Sequence, residues 1–220
     1  MNKYNQVMYG TPNPRYDEKL VNHIVCQYFD YGGNLLDVGC GNGKHMKIFE
    51  SYDITTKGLD AREQDDSKIS ICNIEKDPFP FKNDTFDYVY SKSLFEHILR
   101  ADNCIKECYR VLKPGGKIVI MVPEWKSQMN HYWDDYSHLH AWTRKSLKDM
   151  LEIYGFKEIC CKQFYQLPFI WNYPILEFIP KVISVLPESL KWKTKDMRNG
   201  EDRKLIRFSK ERMLLGYGVK

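Results

Sequence analysis

Residues 34–45, Asn-Leu-Leu-Asp-Val-Gly-Cys-Gly-Asn-Gly-Lys-His, restrict what this chain can fold into more than any other stretch. Leu35–Val38 reads as a short buried strand, and three glycines at alternate positions mark a tight turn into a helix near Asn42. Without Cβ atoms, Gly39, Gly41 and Gly43 let a ligand lie against the backbone. The helix that follows offers free amides and a partial positive charge at its N-terminus. A dinucleotide-binding turn, G-x-G-x-x-G/A, would need a small residue at position 44, where Lys44 stands. Asp37, two residues before the first glycine, instead puts a carboxylate within reach of an ammonium group. The turn suits a zwitterionic, cationic cofactor better than a pyrophosphate, and no nicotinamide dinucleotide is expected.

Periodicity extends this start into an alternating α/β pattern. A leading helix is expected at Asp17–Phe29, with Leu20, Val21, Ile24, Val25 and Tyr28 as its apolar stripe, after an irregular arm over residues 1–16. Lys44–Tyr52 reads as a helix, Thr55–Leu59 and Lys68–Cys72 as strands, and Phe86–Ser91 as a strand behind a proline-marked loop. A helix at Ala101–Leu112, a strand at Lys117–Val122, a helix capped by Thr143 and ended by Gly155, and a strand at Phe156–Phe164 follow. Arg203–Phe208 and Arg212–Val219 read as a final hairpin. Asp60 lies 19 residues beyond Gly41 at the tip of the second strand, placed to bind both hydroxyls of a ribose.

The segment Leu-Leu-Asp-Val-Gly-Cys-Gly-Asn-Gly resembles motif I of the class I S-adenosylmethionine (SAM) dependent methyltransferases. The run from Pro78 to His97 is similar to that family's P-F…F-D-x-V…E-H pattern, and Arg110-Val111-Leu112-Lys113-Pro114-Gly115-Gly116 to another of its motifs. Together the matches span residues 35–122 and point to the methyltransferase type 11-like group. The resemblance implies a Rossmann-like α/β fold: a seven-stranded, mostly parallel sheet in the order 3-2-1-4-5-7-6, with helices on both faces. It implies SAM as cofactor. Asp37, Gly39, Cys40 and Gly41 would form the turn beneath it, and Asp60 and Ala61 would hold the ribose. Asn73 and Ile74 would hold the adenine, and Ser91 would lie beneath the transferable methyl.

The remaining features bear on the acceptor. Residues 123–142 carry Trp125, Tyr132, Tyr136, His138 and His140 in a loop after the fifth strand, where a rigid scaffold usually presents substrate contacts. Trp125, Tyr132 and Tyr136 are the expected substrate-binding residues. His97, His138 and His140 are the candidate bases, since an alcohol acceptor gains from proton removal as the new bond forms. Glu96, His97 and His138, with Trp142-Thr143-Arg144 following, resemble three of the four metal ligands of the magnesium- or manganese-dependent small-RNA 2′-O-methyltransferases. Ser93 stands where those proteins carry the fourth ligand, a glutamate. A hard divalent ion prefers oxygen donors, so no metal is expected and methyl transfer is expected to ignore EDTA.

Seven scattered cysteines argue for reduced thiols and a cytoplasmic setting. No signal-peptide core or spanning run of apolar residues is read from the sequence. Residues 181–220 hold 11 Lys and Arg against 5 Asp and Glu, which suggests an anionic partner. Residues 164–196 form an apolar, proline-broken insertion expected to be a lid, with a homodimer surface or a membrane contact as alternatives. The whole chain, residues 1–220, is expected to be one methyltransferase domain. The leading functional expectation is a SAM-dependent O-methyltransferase acting on a small or glycan-type acceptor, phosphorylated or nucleotide-linked, of polysaccharide or secondary-metabolite biosynthesis. The alternatives are a metal-dependent RNA 2′-O-methyltransferase and a non-catalytic SAM-binding activator subunit. No nucleic-acid partner is expected, because no basic stripe with interleaved aromatics is present.

Overall fold

A computed structural model of the chain describes residues 14–191 and 204–220. Its core is a single seven-stranded sheet: β1 (Asn34–Val38), β2 (Thr55–Asp60), β3 (Ile69–Ile71), β4 (Phe86–Lys92), β5 (Leu112–Pro123), β6 (Lys157–Phe164) and β7 (Met213–Val219). The order across the sheet is β3-β2-β1-β4-β5-β7-β6, as the resemblance implied. β7 runs antiparallel to both β5 and β6, and the other pairings are parallel.

Strand alternation divides the core between the two faces of the sheet. Val89 of β4 and Ile118, Ile120 and Val122 of β5 join Leu36 and Val38 under α3 (Ala101–Val111), which contributes Cys104, Ile105, Cys108 and Val111. The helix α5 (Arg144–Ile153) closes the same face with Leu147, Met150 and Leu151. On the other face Tyr88, Tyr90, Val119 and Met121 pack against Leu20, Val21, Ile24 and Val25 of α1 (Pro14–Tyr28) and Phe49 of α2 (Lys44–Phe49). Each such side chain contributes on the order of 1.5–3 kcal/mol by leaving water. The expected stripe of the leading helix faces the sheet, and Thr143 caps α5 in a capping box with Ser146.

One expected hairpin is not formed. Its first arm, where described, is a helix, α8 (Lys204–Lys210), with Ser209 Oγ donating to Leu205 O and Arg207 Nε paired with Glu211 at 2.7 Å. Bonds three to four residues apart satisfy this short segment locally, so it does not pair with β7, which fills both of its edges with β5 and β6. The strand expected from Lys117 also begins earlier. Leu112 pairs with Phe86 before an irregularity around Gly115 and Gly116, and regular pairing resumes at Lys117.

The insertion after β6 is broken, as its prolines dictate, into α6 (Pro168–Asn172), a 3₁₀ turn at Pro174–Glu177, α7 (Phe178–Ile183) and another turn at Glu188–Lys191. Tyr173, Ile175, Phe178, Val182 and Val185 are exposed on it. Residues 1–13, hence most of the expected arm, lie outside the described residues, as do residues 192–203 with Arg203 and part of the basic tail. Several described cations of that tail are engaged internally: Arg212 with Glu124, Arg207 with Glu211 and Lys220 with Asp84. Among the described residues no helix is long and apolar enough to cross a membrane. All seven cysteines are free thiols.

Candidate active site

The parallel strands end together at one edge of the sheet, and the glycine turn leaves that edge from β1. Gly39 and Cys40 both donate their N–H to Leu59 O, at 2.8 and 3.0 Å, which locks the turn against β2. Gly41 takes a left-handed φ of 56°, and a Cβ placed on it would meet nothing within 4 Å. The turn therefore presents open backbone at this edge. Asp60, at the end of β2, is oriented by two backbone donors: Gly41 N–H to Oδ2 and Arg62 N–H to Oδ1, each at 3.0 Å. Ala61 beside it is exposed.

Asp37 is buried on β1. Burial, and then the charge of Asp60, push its carboxyl up to about 7, while the Lys92 ammonium pulls the other way. Cys40 is buried too, and burial raises its thiol well above the ordinary range. Asn73 is exposed just past β3, with Oδ1 accepting from Glu75 N–H, and Ile74 is buried behind it. Ser91 is buried at the β4 tip, its Oγ donating to Val38 O at 2.9 Å. Its hydroxyl therefore straps the ends of β1 and β4 together.

Residues expected on the acceptor side also gather at this edge. After β4 the chain turns through Ser93, whose N–H bonds Met121 O of β5, and reaches Glu96 and His97. The loop that leaves β5, with the short helix α4 (Trp125–Gln128), folds back onto them. Leu139 and His140 both donate their N–H to Glu96 O, at 2.7 and 3.2 Å. His97 and His138 stand ring to ring, with centroids 5.0 Å apart.

The protonation of both rings follows from their partners. His138 Nδ1 lies 2.6 Å from Tyr132 O, a group that can only accept. Ser137 Oγ gives its proton to Asp135 Oδ1 and so accepts from His97 Nδ1, at 2.9 Å. Both imidazoles thus carry hydrogen on Nδ1, and in the neutral ring that tautomer leaves the lone pair on Nε2. His97 Nε2 lies 3.8 Å from Glu96 Oε1, and burial and the neighbouring His138 lower the His97 pKa. Glu96 itself is buried, which pushes its carboxyl up to about 8, and its Oε2 has no hydrogen-bond partner.

Of the other predicted side chains, His140 turns away from this cluster, while Tyr132 packs against His138 with ring centroids 4.5 Å apart. His140 bonds Leu99 O at 3.2 Å and lies beside Trp142. Tyr132 is 1% exposed, its hydroxyl donating to His140 O, so it shapes the loop from within. Trp125 is half-buried, and Tyr136 is 83% exposed.

A family model described as "Methyltransferase domain" matches residues 15–160. The chain belongs to the class I SAM-dependent methyltransferases. It is 26% identical over 154 residues to phosphoethanolamine N-methyltransferase 2 of Caenorhabditis elegans, covering 63% of this chain and 35% of that protein. It is 31% identical over 144 residues to the uncharacterized protein MJ1123 of Methanocaldococcus jannaschii, covering 60% of this chain and 68% of that protein. The chain therefore spans about a third of the first relative and two thirds of the second. Among solved structures, a SAM-dependent methyltransferase from Archaeoglobus fulgidus superposes with a TM-score of 0.67 at 19% identity, over 99% of this chain and 98% of that one.

The methyltransferase also holds a buried chain of polar groups that sequence reasoning missed. Tyr90 of β4 donates to His45 Nδ1 at 3.3 Å, and His45 Nε2 donates to Asp17 Oδ1 of α1 at 3.0 Å. Burial lowers the His45 pKa against the pull of Asp17. Burial would raise Asp17, but His45 and Lys44 outweigh it and hold that carboxyl low. Lys44, read from the sequence only as a bar to dinucleotides, pairs with Asp17 at 3.0 Å. Lys92, half-buried at the β4 tip, is likewise a surprise: burial and Lys44 lower its pKa, while Asp17, Glu96 and Asp37 oppose that shift. The available signal was strand alternation, which puts Tyr88, Tyr90 and Lys92 on one side of β4.

Proposed function

We propose that the methyltransferase transfers the methyl group to a hydroxyl of a small or glycan-type acceptor that carries a phosphate or nucleotide. SAM supplies an activated, electrophilic methyl, so the chain's own work is to hold both partners in line and take charge of the hydroxyl proton. In this reading Asp37 receives the cofactor's ammonium and Asp60 its ribose hydroxyls. Gly39, Cys40, Gly41 and Ala61 give it backbone to lie against, Asn73 and Ile74 take the adenine, and Ser91 underlies the methyl. The residues fit such a group: Gly41 leaves open space above its backbone, Asp60 is pre-oriented, and Asp37 is a buried acid suited to a cation.

The observation that carries the acceptor side is the convergence of Glu96, His97 and His138, each Nε2 facing a carboxylate at 3.8 Å, at the same edge as the glycine turn. Such a cluster is suited to ionising a hydroxyl. An amine that already offers a lone pair needs less help. The relative named for phosphoethanolamine supports a phosphorylated small molecule as the acceptor class. The insertion that leaves β6 at Phe164 starts level with Pro123, the end of β5, which supports its reading as a lid. The free thiols support a reduced, cytoplasmic setting.

The test is turnover across hydroxyl acceptors with wild type and His138→Ala. The substitution should lower kcat by about 10²–10⁴ while SAM affinity, read by calorimetry, stays unchanged. An undiminished kcat would remove the cluster from the chemistry. Turnover with no acceptor class at all would favour an activator subunit.

A further inference from the structure

We propose that Glu96, His97 and His138 form a binding site for one divalent first-row transition-metal ion, with Asp135 as the adjacent second carboxylate. One ligand atom from each of the three residues lies within 4.8 Å of the others. An ion about 2.1 Å from each of three ligands holds them roughly 3–4 Å apart, so side-chain shifts of about an ångström complete the set. Two independent observations point to a ligand there. The first is Glu96 Oε2, an unpartnered oxygen on a residue 1% exposed. Leaving such an atom bare costs free energy that an ion would recover. The second is the orientation of the histidines. Each ring is fixed through Nδ1 to the protein, His97 on Ser137 and His138 on Tyr132 O, which aims a lone pair through Nε2. Metal-binding histidines are held in this way.

The donor set selects the ion. Two imidazoles with carboxylate oxygen suit manganese, iron, cobalt or zinc better than the all-oxygen preferences of magnesium or calcium. The expectation of no metal rested on Ser93, which brings no charge. The structure brings Asp135, 8% exposed on the acceptor loop, beside one of the three ligands, its Oδ2 3.8 Å from His138 Nε2. An ion held here would neutralise both carboxylates and leave positions open for an oxygen of the acceptor. The site concerns the residues assigned above to acceptor activation, but its existence does not depend on which acceptor is methylated.

The experiment therefore uses no acceptor. The full chain, stripped with EDTA and desalted, is titrated with Mn²⁺ by loss of the free-ion paramagnetic resonance signal, and with Zn²⁺ against a chromophoric chelator. One ion per chain should bind. Glu96→Gln and His138→Ala should each weaken binding at least about tenfold. His140→Ala, outside the cluster, should leave ion affinity unchanged. Unaltered SAM affinity in each variant certifies the fold. If Glu96→Gln does not fold, His138→Ala and His97→Ala decide. No saturable binding up to about 1 mM ion, or equal affinity in wild type and a folded ligand variant, overturns the site. That result would leave the acceptor reading standing, with an imidazole as base. Ion binding without hydroxyl methylation would do the reverse.

Discussion

Asp37 is a buried acid with no compensating cation in hydrogen-bond reach among the described residues, and its carboxyl titrates near 7 rather than at its ordinary 3.8. The sign of the consequence is fixed. Between about pH 4 and 7 the folded chain holds a proton there that the unfolded chain has released, so Asp37's contribution to stability falls as pH rises through that window. A cofactor ammonium reverses this, because it favours the ionised acid. SAM affinity should therefore tighten as pH rises from 5 to 7, by about tenfold per unit below 7, and Asp37→Asn should flatten the profile. Calorimetry across that range checks it; a flat wild-type profile would remove Asp37 from the ammonium site. At this scale the sequence showed the chemistry-bearing residue types near their turns, as with Asp37, Gly41 and Asp60. It could not show that Tyr132 turns inward or that Asp135 joins the histidines. Those facts depend on how a twenty-residue loop folds back on Glu96, and no local periodicity encodes it.

The elements were more legible than their contacts. Alternating strand and helix patterns over residues 34–164 set the sheet, because a buried parallel strand and an amphipathic helix each leave a period in the sequence. The hairpin arm at 203–208 failed as a reading because so short a segment fits either period, and bonds four residues apart hold its described part as a helix. The Asp17–His45–Tyr90 chain was unreadable, since its members are 28 and 45 residues apart and no motif prescribes any of the three residue types. Gly58 is another silent position. A Cβ there would stand 2.5 Å from Cys40 Sγ and 2.8 Å from Met46 Sδ, between β2 and the glycine turn. Gly58→Ala should overpack this junction by about 1–3 kcal/mol. Chemical denaturation should record the loss, and SAM binding should weaken with it as the turn is displaced. Unchanged values for both would show that the turn yields freely.

The molecule as a whole is assembled out of sequence order. β7 occupies the slot between β5 and β6, yet about 90 residues separate Pro123 from its partner Met213. At ~5–20 residues per second of synthesis, the Ile118–Val122 edge waits roughly 5–20 s for the strand that covers it. An apolar edge with unpaired amides is a template for pairing with another chain, so the nascent protein passes through a sticky interval that the finished fold conceals. A chain ended after Arg212 makes that interval permanent. It should accumulate as aggregate rather than as monomer by size-exclusion chromatography, even though every residue placed at the cofactor turn is present. Recovery of a soluble, SAM-binding monomer from it would mean that β5 and β6 close on each other unaided. Expression yield, on this view, is governed by chaperone supply while residues 124–213 are translated, and slowing the ribosome over residues 165–212 would lengthen the exposure rather than relieve it.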